Sequence, residues 1–264
     1  MLPDPPGHRD TGEPPAAPAD PWSALRRHTP ARIAPGRAGT SLPTSEVLRF
    51  AAAHAAARDA VHLPLDVAAL LADLRAHGFE ASTATSRAAA RIEYLTRPDL
   101  GRQLAPGAAD ALADEGDGGL CIVVADGLSA IAAQRHAVPL LLALRERGLV
   151  ADRLVVATQA RVALGDAIGE RAGASLVLVL IGERPGLSSP DSLGAYLTWQ
   201  PKSGRVDSER NCVSNIRPEG LPLPDAAARI AWLVGESRRR RLTGIGLKDD
   251  SELPRVADGG APAT

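Results

Sequence analysis

Residues 120–127 read Leu-Cys-Ile-Val-Val-Ala-Asp-Gly, six apolar positions in a row closed by an Asp-Gly turn. A run this short and this apolar suits a strand buried on both faces, as in a parallel sheet covered by helices. The same pattern recurs toward the C-terminus. Residues 129–147 predict a helix, 153–158 (RLVVAT) a second buried strand, 162–172 a helix and 175–183 (SLVLVLIGE) a third strand. A long loop, RPGLSSPDSLG, then leads to a further strand, AYLTWQ. The last helix is expected over 224–242, with arginines 238–241 at its C-terminal end, where the helix dipole favours cations. Strand and helix alternate, which predicts an α/β fold with a Rossmann-like, mostly parallel sheet over residues 117–250.

Upstream the pattern is helical. Residues 31–43 (ARIAPGRAGTSLP) read as a loop, and Thr44 behind Pro43 is placed to cap a helix whose first turn carries Glu46. Val47, Phe50, His54 and Val61 recur at helical spacing until Pro64. A second helix is expected over 65–76, stopping at Gly78, and residues 91–104 read as a polar connection. Residues 31–105 thus form a helical N-terminal region. Residues 1–30, with seven prolines before Trp22, are expected to be a disordered tail.

Composition narrows the function classes. The 264 residues carry 30 Lys+Arg against 31 Asp+Glu, so no global positive field steers the chain to nucleic acid. Aromatics make up 3%, too few for base-stacking platforms. No apolar run reaches the ~18–20 residues of a membrane span. The polar, proline-rich start lacks a charged-then-apolar signal pattern, so a cytoplasmic location is expected. Cys121 and Cys212 are too few for a disulfide framework or a cysteine-rich zinc site, and the six histidines do not cluster at metal spacing. Phosphate-loop, dinucleotide, zinc-helix and nucleophile-elbow motifs are all missing. We therefore expect no metal site.

One arrangement does point to a ligand. Asp126 to Ser129, the turn before Val162, and Gly182 to Gly186 all fall at the expected carboxyl ends of parallel strands. Open α/β sheets bind ligands along that edge, where helix N-termini present amide donors. Glu183 there is an acceptor for ligand amides.

Eight strings, in order, resemble the small subunit of ethanolamine ammonia-lyase. They are GRAGTSLPTSEVLRF (36–50), HAAARDAVHLPLD (54–66), YLTRPDLGRQL (94–104), VVADGLSAIAAQRHAVPLL (123–141), ARVALGDAIGE (160–170), LIGERPGLSSPDSLGAYLTW (180–199), ERNCVSNIRPEGL (209–221) and RLTGIGLKD (241–249). The resemblance implies an adenosylcobalamin-dependent lyase that converts ethanolamine to acetaldehyde and ammonia by a radical route. It implies a TIM-barrel large subunit holding the substrate, six copies of each subunit in a heterododecamer, and cobalamin lying between the two. Residues 31–105 are then a large-subunit contact. The family's cobalamin contacts carry over to Val162, Glu183 and Cys212, and because the cofactor does the hard chemistry the resemblance implies no substrate-catalytic residue on this chain. The resemblance implies that cobalamin keeps its own benzimidazole base, and the missing Asp-x-His-x-x-Gly string of base-off proteins agrees with that. Some relatives are addressed to a bacterial microcompartment by an amphipathic N-terminal helix; the proline-rich start here shows no such stripe. Two other readings stay open. One is a purely structural or solubilising partner of the large subunit. The other is a stand-alone phosphate-ester enzyme using Asp126 as nucleophile or metal ligand, with Arg184 on phosphate.

Overall fold

The structure, a computed structural model, describes residues 22–29, 31–108, 112 and 118–251. Most of the expected tail, and residues 109–111 and 113–117, lie outside these. The chain divides into two compact units, 1–49 and 50–264.

A short helix, α1 (Ser23–Arg26), stands within the stretch expected to be tail. Helix α2 (Thr44–His62) begins at Thr44 itself, the expected cap, because Pro43 already supplies the carbonyl taken by Glu46 N–H at 2.9 Å. Helix α3 (Val67–Ala76) is capped by Asp66, whose carboxylate accepts from Ala69 N–H at 2.9 Å. Residues 79–87, which carry no clear period, supply strand β1 (Ser82–Thr85). Helix α4 (Arg91–Thr96) replaces the start of the polar connection and buries Tyr94.

The central elements follow the expected order: β2 (Leu120–Ala125), α5 (Ala130–Glu146), β3 (Arg153–Thr158), α6 (Val162–Arg171), β4 (Leu176–Gly182) and β5 (Leu193–Trp199). Strand β6 (Arg210–Ile216) was not expected, and α7 (Leu223–Arg240) closes the fold. The α/β class is as read from the sequence. Among the described residues the strands form one six-stranded sheet, ordered β1-β3-β2-β4-β5-β6, and it is mixed: β1, β3, β2 and β4 run parallel, whereas β5 and β6 pair antiparallel.

Two apolar layers sandwich the sheet. On one face Leu70 and Leu74 of α3, Leu140 and Leu144 of α5, and Ile230 and Leu233 of α7 pack against Ile122, Val124, Leu178 and Leu180. On the other, Leu164 and Ile168 of α6 pack against Val123, Val155, Val177 and Val179. Alternate residues of β2 and β4 thus face opposite layers, which is why both strands read as unbroken apolar runs. Burying side chains of this size contributes about 1.5–3 kcal/mol each. Among the described residues no helix is long and apolar enough to cross a membrane.

Candidate functional site

Strands β2, β3 and β4 end side by side, and their turns line a hollow of about 440 Å³. Its wall comprises Gly127 and Leu128 after β2, Arg161 and Val162 after β3, and Ile181 to Arg184 at the end of β4. Tyr94 and Tyr196 complete it. The floor is tight because two glycines meet there. Gly127 has φ +54°, and a Cβ on it would lie 2.1 Å from the Gly182 carbonyl oxygen. Leu128 N–H donates to that same oxygen at 2.9 Å.

The helix N-termini at this edge are not equivalent. Ser129 caps α5, accepting from Ala132 N–H at 3.3 Å and donating its hydroxyl to the Pro190 carbonyl at 2.8 Å. The loop after β4 thus covers α5. Helix α6 has no side-chain cap, so its first-turn amides, starting at Val162, carry the positive dipole end toward the hollow.

Glu183 is held at its base and open at its tip. Its Oε2 accepts from the Ser192 hydroxyl and from Asn215 N–H at 3.1 Å. Its Oε1 lies toward Gly194, where a Cβ would come within 2.9 Å of it. Two anchors fix the carboxylate while one oxygen stays available as acceptor. Arg161 and Arg184 add positive charge to the rim.

Cys212 does not line the hollow. It lies opposite Tyr196 in the β5–β6 register, and Tyr196 does line the hollow. Burial, followed by the nearby Glu183 charge, raises the Cys212 thiol above its ordinary value. Val162 and Glu183 therefore share one wall, and Cys212 reaches it through Tyr196. A larger open groove of about 1210 Å³ runs along α6 past Arg102 and Arg171, and none of the three residues lines it.

Asp126 has a different task. It is 1% exposed and accepts from Gln159 N–H at 2.8 Å, Ala160 N–H at 3.0 Å and Arg91 at 3.2 Å. Burial raises its carboxyl despite these donors. Both oxygens are spent tying the end of β2 to the turn after β3. A nucleophile or metal ligand must present a lone pair to its target, so the phosphate-ester reading loses its central residue.

The profile of ethanolamine ammonia-lyase light chains matches residues 19–248. The chain belongs to this family. The ethanolamine ammonia-lyase small subunit of Azotobacter vinelandii is 53% identical over 251 residues, covering 92% of this chain and 93% of that protein. That of Ralstonia nicotianae is 51% identical over 249 residues, covering 91% and 92%. That of Bradyrhizobium diazoefficiens is 54% identical over 244 residues, covering 90% and 94%.

Within the light-chain framework, two residues of the hollow escaped the reading of the sequence. Tyr94 stands between two guanidinium groups, Arg161 at 4.4 Å and Arg91 at 4.8 Å from its ring centre. Its hydroxyl donates to the Ala160 carbonyl at 3.0 Å, and burial raises its phenol above the ordinary range. Tyr196 is the other, raised for the same first reason. The signal was scarcity. The chain has two tyrosines, and both line this hollow.

Proposed function

We propose that the chain is the small subunit of an ethanolamine ammonia-lyase and that its sheet edge forms one wall of the adenosylcobalamin site. The observation that carries this reading is identity above 50% to proteins of that name, over at least nine-tenths of each chain. The residues at the edge fit the cofactor. A corrin is rimmed with amide side chains, which both donate and accept. Glu183 Oε1 supplies an acceptor, the first turn of α6 supplies donors, and the two tyrosine rings supply apolar surface. A hollow of about 440 Å³ is far smaller than cobalamin, which fits a site completed by the large subunit.

In this reading Val162, Glu183 and Cys212 are the cofactor contacts. Adenosylcobalamin supplies the radical chemistry, and the large subunit holds the ethanolamine that becomes acetaldehyde and ammonia. This chain's own residues orient and shield. Glu183 fixes one edge of the ring, the tyrosines exclude water, and Asp126 and Arg91 keep the turns in place. The four parallel strands support a Rossmann-like description of residues 117–250. Residues 31–105 contact the large subunit, in an assembly of six copies of each in the cytoplasm. Val47, Leu48 and Phe50 of α2, which are 50, 65 and 47% exposed, support that contact.

The test is acetaldehyde release by this chain co-expressed with its large subunit, given ethanolamine and adenosylcobalamin. Turnover is expected with both subunits and not with either alone; turnover by the large subunit alone would reduce this chain to a stabiliser. Glu183→Ala is expected to weaken cobalamin binding about ten- to a hundredfold while the complex still assembles. Unchanged affinity on size-matched complexes would remove the cofactor role and leave the purely structural one.

A further inference from the structure

Directly beneath the wall, Asp166 of α6 pairs with Arg210 of β6, with side chains 1% and 2% exposed. Asp166 follows Val162 by one helical turn, so both lie on the same side of α6. Arg210 precedes Cys212 by two residues, so both point to the same face of β6. The strand register extends this order. Thr198 lies opposite Arg210, and Tyr196 lies opposite Cys212. Thr198 also lies beside the Asp166 carboxylate and favours its charged form. One row, Asp166–Thr198–Arg210, therefore underlies a second row containing Val162, Tyr196 and Cys212.

We infer that the Asp166–Arg210 pair is a positioning device that sets α6 against β6, and with them the cofactor contacts Val162, Cys212 and Glu183. This rests on the reading that the sheet edge holds cobalamin. Glu183 is included because Asn215, also on β6, donates to its carboxylate at 3.1 Å. A slide of β6 would thus move two of the three contacts together. Arg210 adds two further ties to the same region, to Asp207 at 3.1 Å and to the Arg205 carbonyl at 2.9 Å.

Stability alone is a poor account of the pair. A buried ion pair loses much of its attraction to desolvation, and well-packed apolar residues often do as well. The satisfaction is also incomplete. Asp166 Oδ1 and Arg210 Nε are buried without a hydrogen-bond partner among the described residues. Arg210 meets one Asp166 oxygen through Nη2 while its Nη1 reaches Asp207, so one rigid guanidinium plane ties α6 to β6 in a fixed direction.

The test uses the two-subunit complex and reads the adenosylcobalamin KM, kcat at saturating cofactor, and Tm. Asp166→Asn and Arg210→Met are each expected to raise the cofactor KM about ten- to a hundredfold, with kcat near wild type and assembly intact. The double variant Asp166→Leu with Arg210→Met is expected to recover Tm but not KM. Leu233→Ala, on the opposite face of the sheet, is expected to lower Tm and leave KM alone. Unchanged KM in the single variants, or KM recovering together with Tm in the double variant, would overturn the inference. Should Asp166→Asn fail to assemble, Thr198→Val carries the test in its place: a raised KM supports the inference and an unchanged KM overturns it. Glu183→Ala separates the two levels. If it raises KM while the pair variants do not, only the positioning role falls. If it too leaves KM unchanged, the cofactor wall itself falls.

Discussion

Cys121 lies in β2 with its side chain wholly inside the sheet, and burial pushes its thiol up to about 12 from an ordinary 9.0. Cys212 is itself exposed. The thiolate is the reactive form, so native protein is expected to show one reactive thiol toward a disulfide reagent and two in denaturant. The shift at Cys121 also has a stability sign. Its folded value exceeds its unfolded one, so its contribution is complete below pH 9 and is lost as pH rises toward 12. The loss is about 1.4 kcal/mol per pH unit over that window. Cys121→Val is therefore expected to flatten the alkaline decline of the unfolding free energy by that slope, read from urea curves from pH 9 upward. Equal slopes in both proteins would refute the assignment. The tyrosines, also raised by burial, are common to both proteins and cancel.

Helix α6 shows how an element's purpose can differ from its propensity. Gly165 and Gly169 stand in a helix of ten residues, and each costs about 1 kcal/mol relative to alanine. The reason is contact. A Cβ at Gly165 would lie 2.2 Å from Val179 Cγ2, and one at Gly169 would lie 2.7 Å from Pro201 Cγ. The glycines let α6 settle onto β4, which brings Asp166 within reach of Arg210. Gly165→Ala is expected to destabilise by about 1–3 kcal/mol through overpacking, and adding Val179→Ala to recover part of that loss. Additive costs in urea unfolding would show that the two residues do not meet. The helix was legible in the sequence and its seat was not, since periodicity reports a face but not its distance from a neighbour. Strand β6 was illegible for a related reason. Its buried positions include Arg210, whose charge reads as surface until Asp166 is opposite it. Tyr94 hid likewise, within a stretch whose polar residues outnumber its apolar ones.

At the scale of the whole molecule, the sheet combines two designs. Four strands run parallel, and the turns after β2, β3 and β4 create the hollow, as their apolar runs implied. Two antiparallel strands then bring Tyr196 and Cys212 up beside it. Sequence alone located the parallel edge, Val162 and Glu183, because buried strands and the turns that end them are local signals. Cys212 came only from family resemblance, since its place depends on the pairing of β5 with β6. Another whole-molecule feature is the apolar surface of α2. Val47 and Phe50 stand three residues apart at helical spacing and are 50 and 47% exposed. Covering such side chains contributes about 1.5–3 kcal/mol apiece. If the large subunit covers them, replacing both by aspartate buries two charges at the contact and opposes assembly. Val47→Asp with Phe50→Asp is therefore expected to lower the yield of the two-subunit complex on size exclusion while leaving the circular dichroism of this chain unchanged. Full assembly of that variant would place the large-subunit contact elsewhere on the chain.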